Sequence, residues 1–355
     1  MPQLTSGRKK WLLPVFLFIS ITIIVALVSI GIWVFQDGPL TNPISGKPTA
    51  ITFFPSSHSN TTISPLLFGT NMALFDTHDL LLTSEGARVR LQGLHPGIIR
   101  MPVRASLAEE TEMRAARTIK ELGALPLVNL RGEVDANVLA DDARIIQDVQ
   151  QVFNNSSVYY EYGNEEDLQG VTAERYAASW NRIVPQLQRL APQAHFIGPV
   201  NFQYNEAYLK TFLQQARPAP DEISWHEYTC DVNAPPTTCI ANIAHWNIHI
   251  ARARAMMQQA IGHSLPIMIT EWNYSPNATS SDGKNNNPTF IQNWTKLALQ
   301  TLAANRIFAA MQYSCTNTAV PLITASANLS VQGESFQEQY QQMIVEKRIP
   351  AALQN

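Results

Sequence analysis

Eight short apolar runs, each followed by a stretch of helical character, constrain this chain more than any other feature. The runs are Leu66 to Asn71, Ile98 to Pro102, Leu125 to Leu130, Val158 to Gly163, His195 to Val200, Ile223 to Tyr228, Leu265 to Thr270 and Ile307 to Tyr313. They are apolar almost throughout instead of alternating, so both faces must be covered, as in a parallel sheet flanked by helices. The helical stretches are Asp79 to Leu94, Leu107 to Leu122, Ala136 to Phe153, Thr172 to Leu190, Glu206 to Gln215, Ile243 to Ile261, Thr289 to Ala304 and a last one near Phe336 to Glu346. Gly123 is placed to stop the second, and Thr172 to cap the fourth. The fold class this predicts is α/β, a (β/α)8 TIM barrel. A doubly wound open sheet is the competitor, but no Gly-rich phosphate loop supports it.

The N-terminal end is of another kind. Trp11 to Phe35 contains no charged residue. At about 1.5 Å per residue such a helix crosses a bilayer core of about 30 Å. Arg8, Lys9 and Lys10 precede it and Asp37 comes after it. The excess of positive charge places the N-terminus in the cytoplasm and the rest outside. The expected organisation is a cytoplasmic tail over 1–10, a transmembrane signal anchor over 11–35, a Pro-, Gly- and Ser-containing linker over 36–50, a barrel over 51–349 and a tail over 350–355. The lipid bilayer is thus an expected partner through residues 11–35, at the cell membrane with the barrel extracytoplasmic. A cleaved signal peptide is the alternative, disfavoured by the length of the run and by the poor cleavage site at Ile30-Gly31-Ile32-Trp33.

Without the three bases of the tail the chain has 22 basic against 28 acidic residues. That balance argues against a nucleic-acid partner. Cys230 and Cys239 lie in one predicted loop with Pro235 and Pro236 between them. In an oxidising compartment they predict a small disulfide loop; two free thiols are the alternative. Cys315 has no evident partner. No cysteine pair has zinc-binding spacing and the histidines are scattered, so no metal or cofactor is expected. Sequons occur at Asn60, Asn154, Asn155, Asn277, Asn293 and Asn328 and matter only in a eukaryotic secretory pathway.

Two carboxylates stand at strand ends: Glu165 in Tyr159-Tyr160-Glu161-Tyr162-Gly163-Asn164-Glu165, and Glu271 in Pro266-Ile267-Met268-Ile269-Thr270-Glu271. The C-terminal ends of barrel strands form the rim where such folds do chemistry. Strands four and seven lie across the mouth from each other. A glutamate on each suggests cleavage of a glycosidic bond, one as acid and one as nucleophile.

Here the chain resembles the clan of retaining barrel glycosidases with Asn-Glu after strand four and a nucleophilic Glu after strand seven. Ile99-Arg100-Met101-Pro102 looks like the strand-two Arg of that clan, and His226-Glu227-Tyr228 like its strand-six His-x-Tyr. The resemblance covers about residues 63–315. Two stretches lean toward the beta-glucuronidase and heparanase family: Glu161-Tyr162-Gly163-Asn164-Glu165-Glu166-Asp167-Leu168 and Ile63-Ser64-Pro65-Leu66-Leu67-Phe68-Gly69. The second is also similar to the arabinofuranosidases. The chain departs from the pattern at Glu166, where Pro is usual, and at Gln312-Tyr313, where many relatives carry Trp. The segment after strand eight in this sequence is too short for the C-terminal β-sandwich of those families.

The resemblance implies a substrate that is an oligosaccharide, polysaccharide or glycoconjugate. It implies Glu165 as acid/base and Glu271 as nucleophile, with Arg100 and Tyr228 contacting Glu271 and Asn164 meeting the sugar 2-hydroxyl. His226, Tyr313 and Asn71 complete the expected substrate site. Trp272 and Tyr274, just past the nucleophile, are expected to stack on sugar rings. Blander readings stand beside these. Arg100 would merely neutralise Glu161, which shares a face with Glu165, and His226 would be a core histidine. Trp225 is expected to pack outward, and Trp246 and Trp294 to pack within helices. Glu166, Asp167, Glu227 and Asp231 are read as solvated rim charges. The function expected is a retaining O-glycoside hydrolase without cofactor. A catalytically inactive carbohydrate-binding barrel at the cell surface is the alternative.

Overall fold

The computed structural model describes residues 63–154 and 156–348. The anchor expected over 11–35, the linker and both tails lie outside the described residues. Among the described residues no helix is long and apolar enough to cross a membrane.

Eight strands close into one parallel barrel in sequence order. They are β1 (Gly69–Asn71), β2 (Ile98–Pro102), β3 (Leu125–Asn129), β4 (Tyr159–Glu161), β5 (His195–Asn201), β6 (Glu222–Tyr228), β7 (Ile267–Asn273) and β8 (Ala309–Gln312). The helices that come after them in turn are α1 (Glu85–Gln92), α2 (Glu109–Glu121), α3 (Val138–Phe153), α4 (Ala173–Leu190), α5 (Glu206–Gln215), α6 (Ile243–Ile261), α7 (Pro288–Ala304) and α8 (Val331–Tyr340). The Thr172 hydroxyl accepts from Arg175 N and caps α4, as its sequence position suggests. Local chemistry moved some boundaries. Pro65–Leu67 forms a 3-10 turn in place of the start of the first strand. The stretch expected as one helix from Asp79 breaks at Ser84, whose hydroxyl accepts from Ala87 N and starts α1 anew.

Period-two alternation sorts the strand side chains into two layers. Outward residues join the helices in the main core, where Trp180, Trp225, Trp246, Trp272 and Trp294 are all fully buried. Inward residues near the N-terminal strand ends form a second apolar cluster of Ile98, Leu127, Tyr159, Ile197, Met268, Ala309 and Met311. Two residues further on, the same inward face turns polar: Arg100 comes after Ile98, Asn129 after Leu127 and Glu161 after Tyr159. An apolar plug therefore closes the bottom of the barrel interior, and the polar inward side chains gather toward its mouth. Gly69 sits where β1 closes between β2 and β8. A Cβ there would lie 2.7 Å from Ile98 Cγ2 and 2.8 Å from the Ala310 carbonyl oxygen.

Two register shifts reshape the mouth. Trp225 pairs with Ile269 but His226 pairs with Glu271, so Thr270 is an extra residue on β7. Such a bulge re-aims the side chains after it. Met268 points inward, so strict alternation would send Glu271 toward the helices; the bulge turns it into the barrel. On β5 a similar shift passes over Val200, between Pro199 and Asn201. Cys230 and Cys239 are joined by a disulfide beyond β6, and Cys315 is free and buried.

Candidate active site

Arg100 lies at the centre of the mouth and is 2% exposed. Its Nη1 donates to Glu271 Oε1 at 2.6 Å and to Asn71 Oδ1 at 3.2 Å. Its Nη2 donates to Asn164 Oδ1 at 2.6 Å and its Nε to Glu161 Oε2 at 2.5 Å. Arg100 thus joins the nucleophile candidate and Glu161 at once, so the two roles weighed for it coexist. Burial would lower its pKa, but the Glu161 and Glu271 charges outweigh that and hold it above its ordinary value.

Glu271 is almost completely buried, and both of its oxygens are engaged. Oε1 takes the Arg100 bond, and Oε2 accepts from Tyr228 OH at 2.7 Å. Burial would raise its pKa. The charges of His226 and Arg100 and the hydrogen bonds from Tyr228 and Arg100 win, and the carboxyl stays below its usual range. Burial, followed by the nearby Glu271 charge, pushes the Tyr228 phenol far above its ordinary value.

Glu165 comes to the site by a different route. It lies beyond the end of β4 in the left-handed region, φ 50°, and its N–H donates to the Val200 carbonyl at 2.9 Å. Such a backbone is uncommon away from glycine and is found at functional sites. His226 Nδ1 lies 2.7 Å from Glu165 Oε1 and 3.7 Å from Glu271 Oε2. The imidazole therefore bridges the two carboxylates. Burial would lower its pKa, but Glu271 and Glu165 raise it beyond that effect. Glu165, His226 and Glu271 each place one ligand-type atom within 4.8 Å of the others. His195, Asp221 and Glu222 do the same at the N-terminal strand ends. At the mouth, the Arg100 guanidinium on Glu271 opposes a second cation and favours proton transfer over metal binding.

The cleft above these groups has a volume of about 300 Å³. Asn71, Arg100, Asn164, Glu165, Glu271 and Tyr313 all line it, and burial pushes the Tyr313 phenol up to about 12. Two expectations for β7 fail. Trp272 and Tyr274 are fully buried and do not face the cleft. Trp272 stacks on Trp294 at 5.9 Å, and Tyr274 OH donates to Asp282 Oδ2 at 2.7 Å. The bulge that aims Glu271 inward necessarily aims Trp272, and Tyr274 two residues on, outward. Two of the expected rim charges are also buried. Glu227 accepts from Trp225 Nε1 at 2.7 Å and lies 2.9 Å from His249 Nδ1, tying β6 to α6. Glu166 is shut beneath the turn that carries Glu165.

The cleft has walls that the sequence reading missed. Arg104 donates to the Ala73 and Leu74 carbonyls and lies over the Phe75 ring at 5.0 Å. Asn129 Nδ2 donates to the Gly163 carbonyl oxygen at 2.5 Å. Period two from Leu127 would have found Asn129. Arg131, Val134 and Gln169 arrive on loops whose paths carry no periodic signal.

No protein-family model and no curated protein sequence matches the chain. Solved structures do. An alpha-L-arabinofuranosidase from Thermotoga maritima superposes with a TM-score of 0.61 at 14% identity, covering 78% of this chain and 70% of that one. A family 51 alpha-L-arabinofuranosidase from Bifidobacterium longum gives 0.59 at 13%, covering 78% and 73%. A broad specificity endoglucanase from Clostridium longisporum gives 0.54 at 10%, covering 78% and 96%. At such identity the likeness is one of fold, and the fold this chain shares with them is the (β/α)8 barrel.

Proposed function

We propose that this chain is a retaining glycoside hydrolase, held at the cell membrane by residues 11–35 with its barrel outside. The observation that carries the activity is the carboxylate pair: oxygens of Glu165 and Glu271 approach within 4.8 Å across the cleft. Retaining enzymes need their two carboxyl groups about 5–5.5 Å apart, whereas inverting ones leave about 6.5–9.5 Å for a water. The environments of the two groups also differ as the chemistry requires. Glu271 is held ionised by Arg100 and Tyr228, which suits a nucleophile. Glu165 is more exposed, and among the described residues its carboxylate hydrogen-bonds to the bridging imidazole alone, which suits a group that gives and takes a proton.

In the first step Glu165 protonates the glycosidic oxygen as Glu271 bonds to the anomeric carbon and the aglycone leaves. In the second, Glu165 takes a proton from water, which attacks the same carbon and frees Glu271. His226 lies where it can respond to the changing charge on both carboxylates. With Asn164 Oδ1 committed to Arg100, its amide NH2 is the part available to a sugar hydroxyl. The motif around Asn164-Glu165 supports kinship with the beta-glucuronidase and heparanase family. The neighbouring folds are those of an arabinofuranosidase and an endoglucanase.

The test is a panel of aryl glycosides spanning glucuronide, arabinofuranoside, xyloside and glucoside, with the anomer of the first product read by NMR. Glu271→Gln should lose turnover by about a thousandfold or more while keeping its circular dichroism, because no covalent intermediate can form. Turnover at the wild-type rate in that variant, or an inverted product from wild type, would end the assignment.

A further inference from the structure

The turn that brings Glu165 to the cleft continues into a carboxyl that never reaches it. Glu166 is fully buried and begins a 3-10 turn, Glu166–Gln169. Its Oε1 accepts from Val134 N at 3.4 Å and lies against the backbone of two glycines, Gly132 and Gly163. A Cβ at Gly163 would sit 2.7 Å from that oxygen, and one at Gly132 would collide with it outright. Both glycines have positive φ, 75° and 80°, so each is suited to its place by conformation as well as by space. Glu166 Oε2 is buried with no hydrogen-bond partner among the described residues.

The carboxyl therefore lies between two segments that both line the cleft. One is the loop of residues 131–135 after β3, which contributes Arg131 and Val134. The other is the turn of residues 163–166, which contributes Asn164 and Glu165. Asp142 Oδ1 holds the near end of the first segment by accepting from Arg131 N at 2.9 Å, and Asn129 fastens Gly163 from below. At its far end the loop bonds to Glu166.

We propose that Glu166 is a positioning residue whose buried carboxyl staples the β3 loop to the turn bearing Glu165, so that cleft wall and acid/base move as one piece. This rests on the reading of Glu165 as acid/base. Burial is the main reason the Glu166 carboxyl is pushed up to about 8; Val134 and Glu133 N–H groups lower it, Glu133's charge raises it and Arg175 lowers it. The phenols of Tyr162, Tyr176 and Tyr208 also surround it, each raised by its own burial and staying neutral. A carboxyl raised in the folded state lends stability that is full below its ordinary value and is lost as pH climbs through about 8. Ionisation must then loosen the staple, because a buried carboxylate without a close cation is costly.

Three proteins decide it: wild type, Glu166→Gln and Glu166→Ala. Amide hydrogen exchange over residues 132–135 should quicken by about tenfold or more in Glu166→Ala. The KM for an aryl glycoside should rise, and kcat for an unactivated one should fall by up to about a hundredfold. Glu166→Gln, which keeps the acceptor but cannot ionise, should recover most of both losses at pH 6. Between pH 5 and 9 the melting temperature of wild type should fall relative to that of Glu166→Gln. Parallel melting curves for those two proteins, or wild-type exchange of residues 132–135 in Glu166→Ala, would overturn the proposal. Should Glu166→Ala fail to fold, exchange over residues 132–135 at pH 9 decides, where it should be faster in wild type than in Glu166→Gln and equal rates would overturn the proposal. Melting and exchange need no substrate, so they test the staple even where no glycoside is turned over.

Discussion

Arg100 donates to Glu161, Glu271, Asn164 and Asn71 together. One buried guanidinium thus favours the charged form of Glu271, the proposed nucleophile, and orients the amides beside it. Removing it would leave Glu161 buried without its cation and take one of the partners of Glu271, a loss of about 3–5 kcal/mol that would confuse catalysis with folding. Gentler changes separate the roles. Tyr228→Phe removes one of the bonds that keep Glu271 below its ordinary pKa. The acidic limb of the kcat/KM profile should therefore move to higher pH, since Glu271 would then protonate sooner as pH falls. A limb that stays in place would show that Tyr228 does not act on Glu271. Glu165→Ala should act through the leaving group. Natural glycosides, which need protonation, should slow by about 10²–10⁴-fold. An aryl glycoside with an activated phenol should be cleaved far better in its first step, then stall and show a burst. Equal damage to both substrates would assign the proton transfer to another residue.

Element scale explains why these side chains meet. The extra residue Thr270 on β7 turns Glu271 from the helix side to the barrel interior and sends Trp272 into the core beside Trp294. One bulge thereby chooses which of two adjacent residues is chemical and which is packing. The closure of the barrel has an equally local requirement at Gly69, where β1 passes between Ile98 and Ala310. Gly69→Ala should destabilise by about 1–3 kcal/mol, the usual cost of forcing a methyl into a filled site, and lower the melting temperature. A melting temperature equal to wild type would mean that β1 can shift without penalty. Most strands were legible from their apolar runs. The seventh run spans Leu265 to Thr270 in the sequence, yet β7 continues to Asn273 with every residue buried. Charge at a strand end marks the barrel mouth, not the end of pairing.

For the whole molecule, the chain from Asn60 onward forms one compact unit containing the entire barrel. All the groups assigned to catalysis lie within it. Removing residues 1–36 should therefore leave kcat and KM unchanged and yield protein that needs no detergent. Truncated protein that is inactive or insoluble would tie the apolar segment to function. Protease cleavage of the barrel from outside intact cells tests the expected orientation separately.

Short-range rules account for the fold that was legible in the sequence, and a resemblance to barrel glycosidases for much of the site. Apolar runs of strand length separated by helical stretches dictate a parallel sheet with covered faces, and eight of them point to a closed barrel. Glu165 and Glu271 stood out as charges at the ends of apolar strands, while Arg100, His226 and Tyr228 stood out only through the resemblance to the barrel glycosidase clan. Pairing of Cys230 with Cys239 was legible only on the expectation of an oxidising compartment, with free thiols as the alternative; the fold joins them. Contacts between distant segments decided the rest. Whether Trp272 meets a sugar or Trp294 depends on one unpaired residue of β7, and no periodic pattern records a bulge. Whether Glu166 is wet or buried depends on the loop of residues 131–135, distant in sequence, lying across it. Arg104 and Arg131 reach the cleft for the same reason. A side chain's chemistry is local, but its solvent is set by whatever the folded chain places against it.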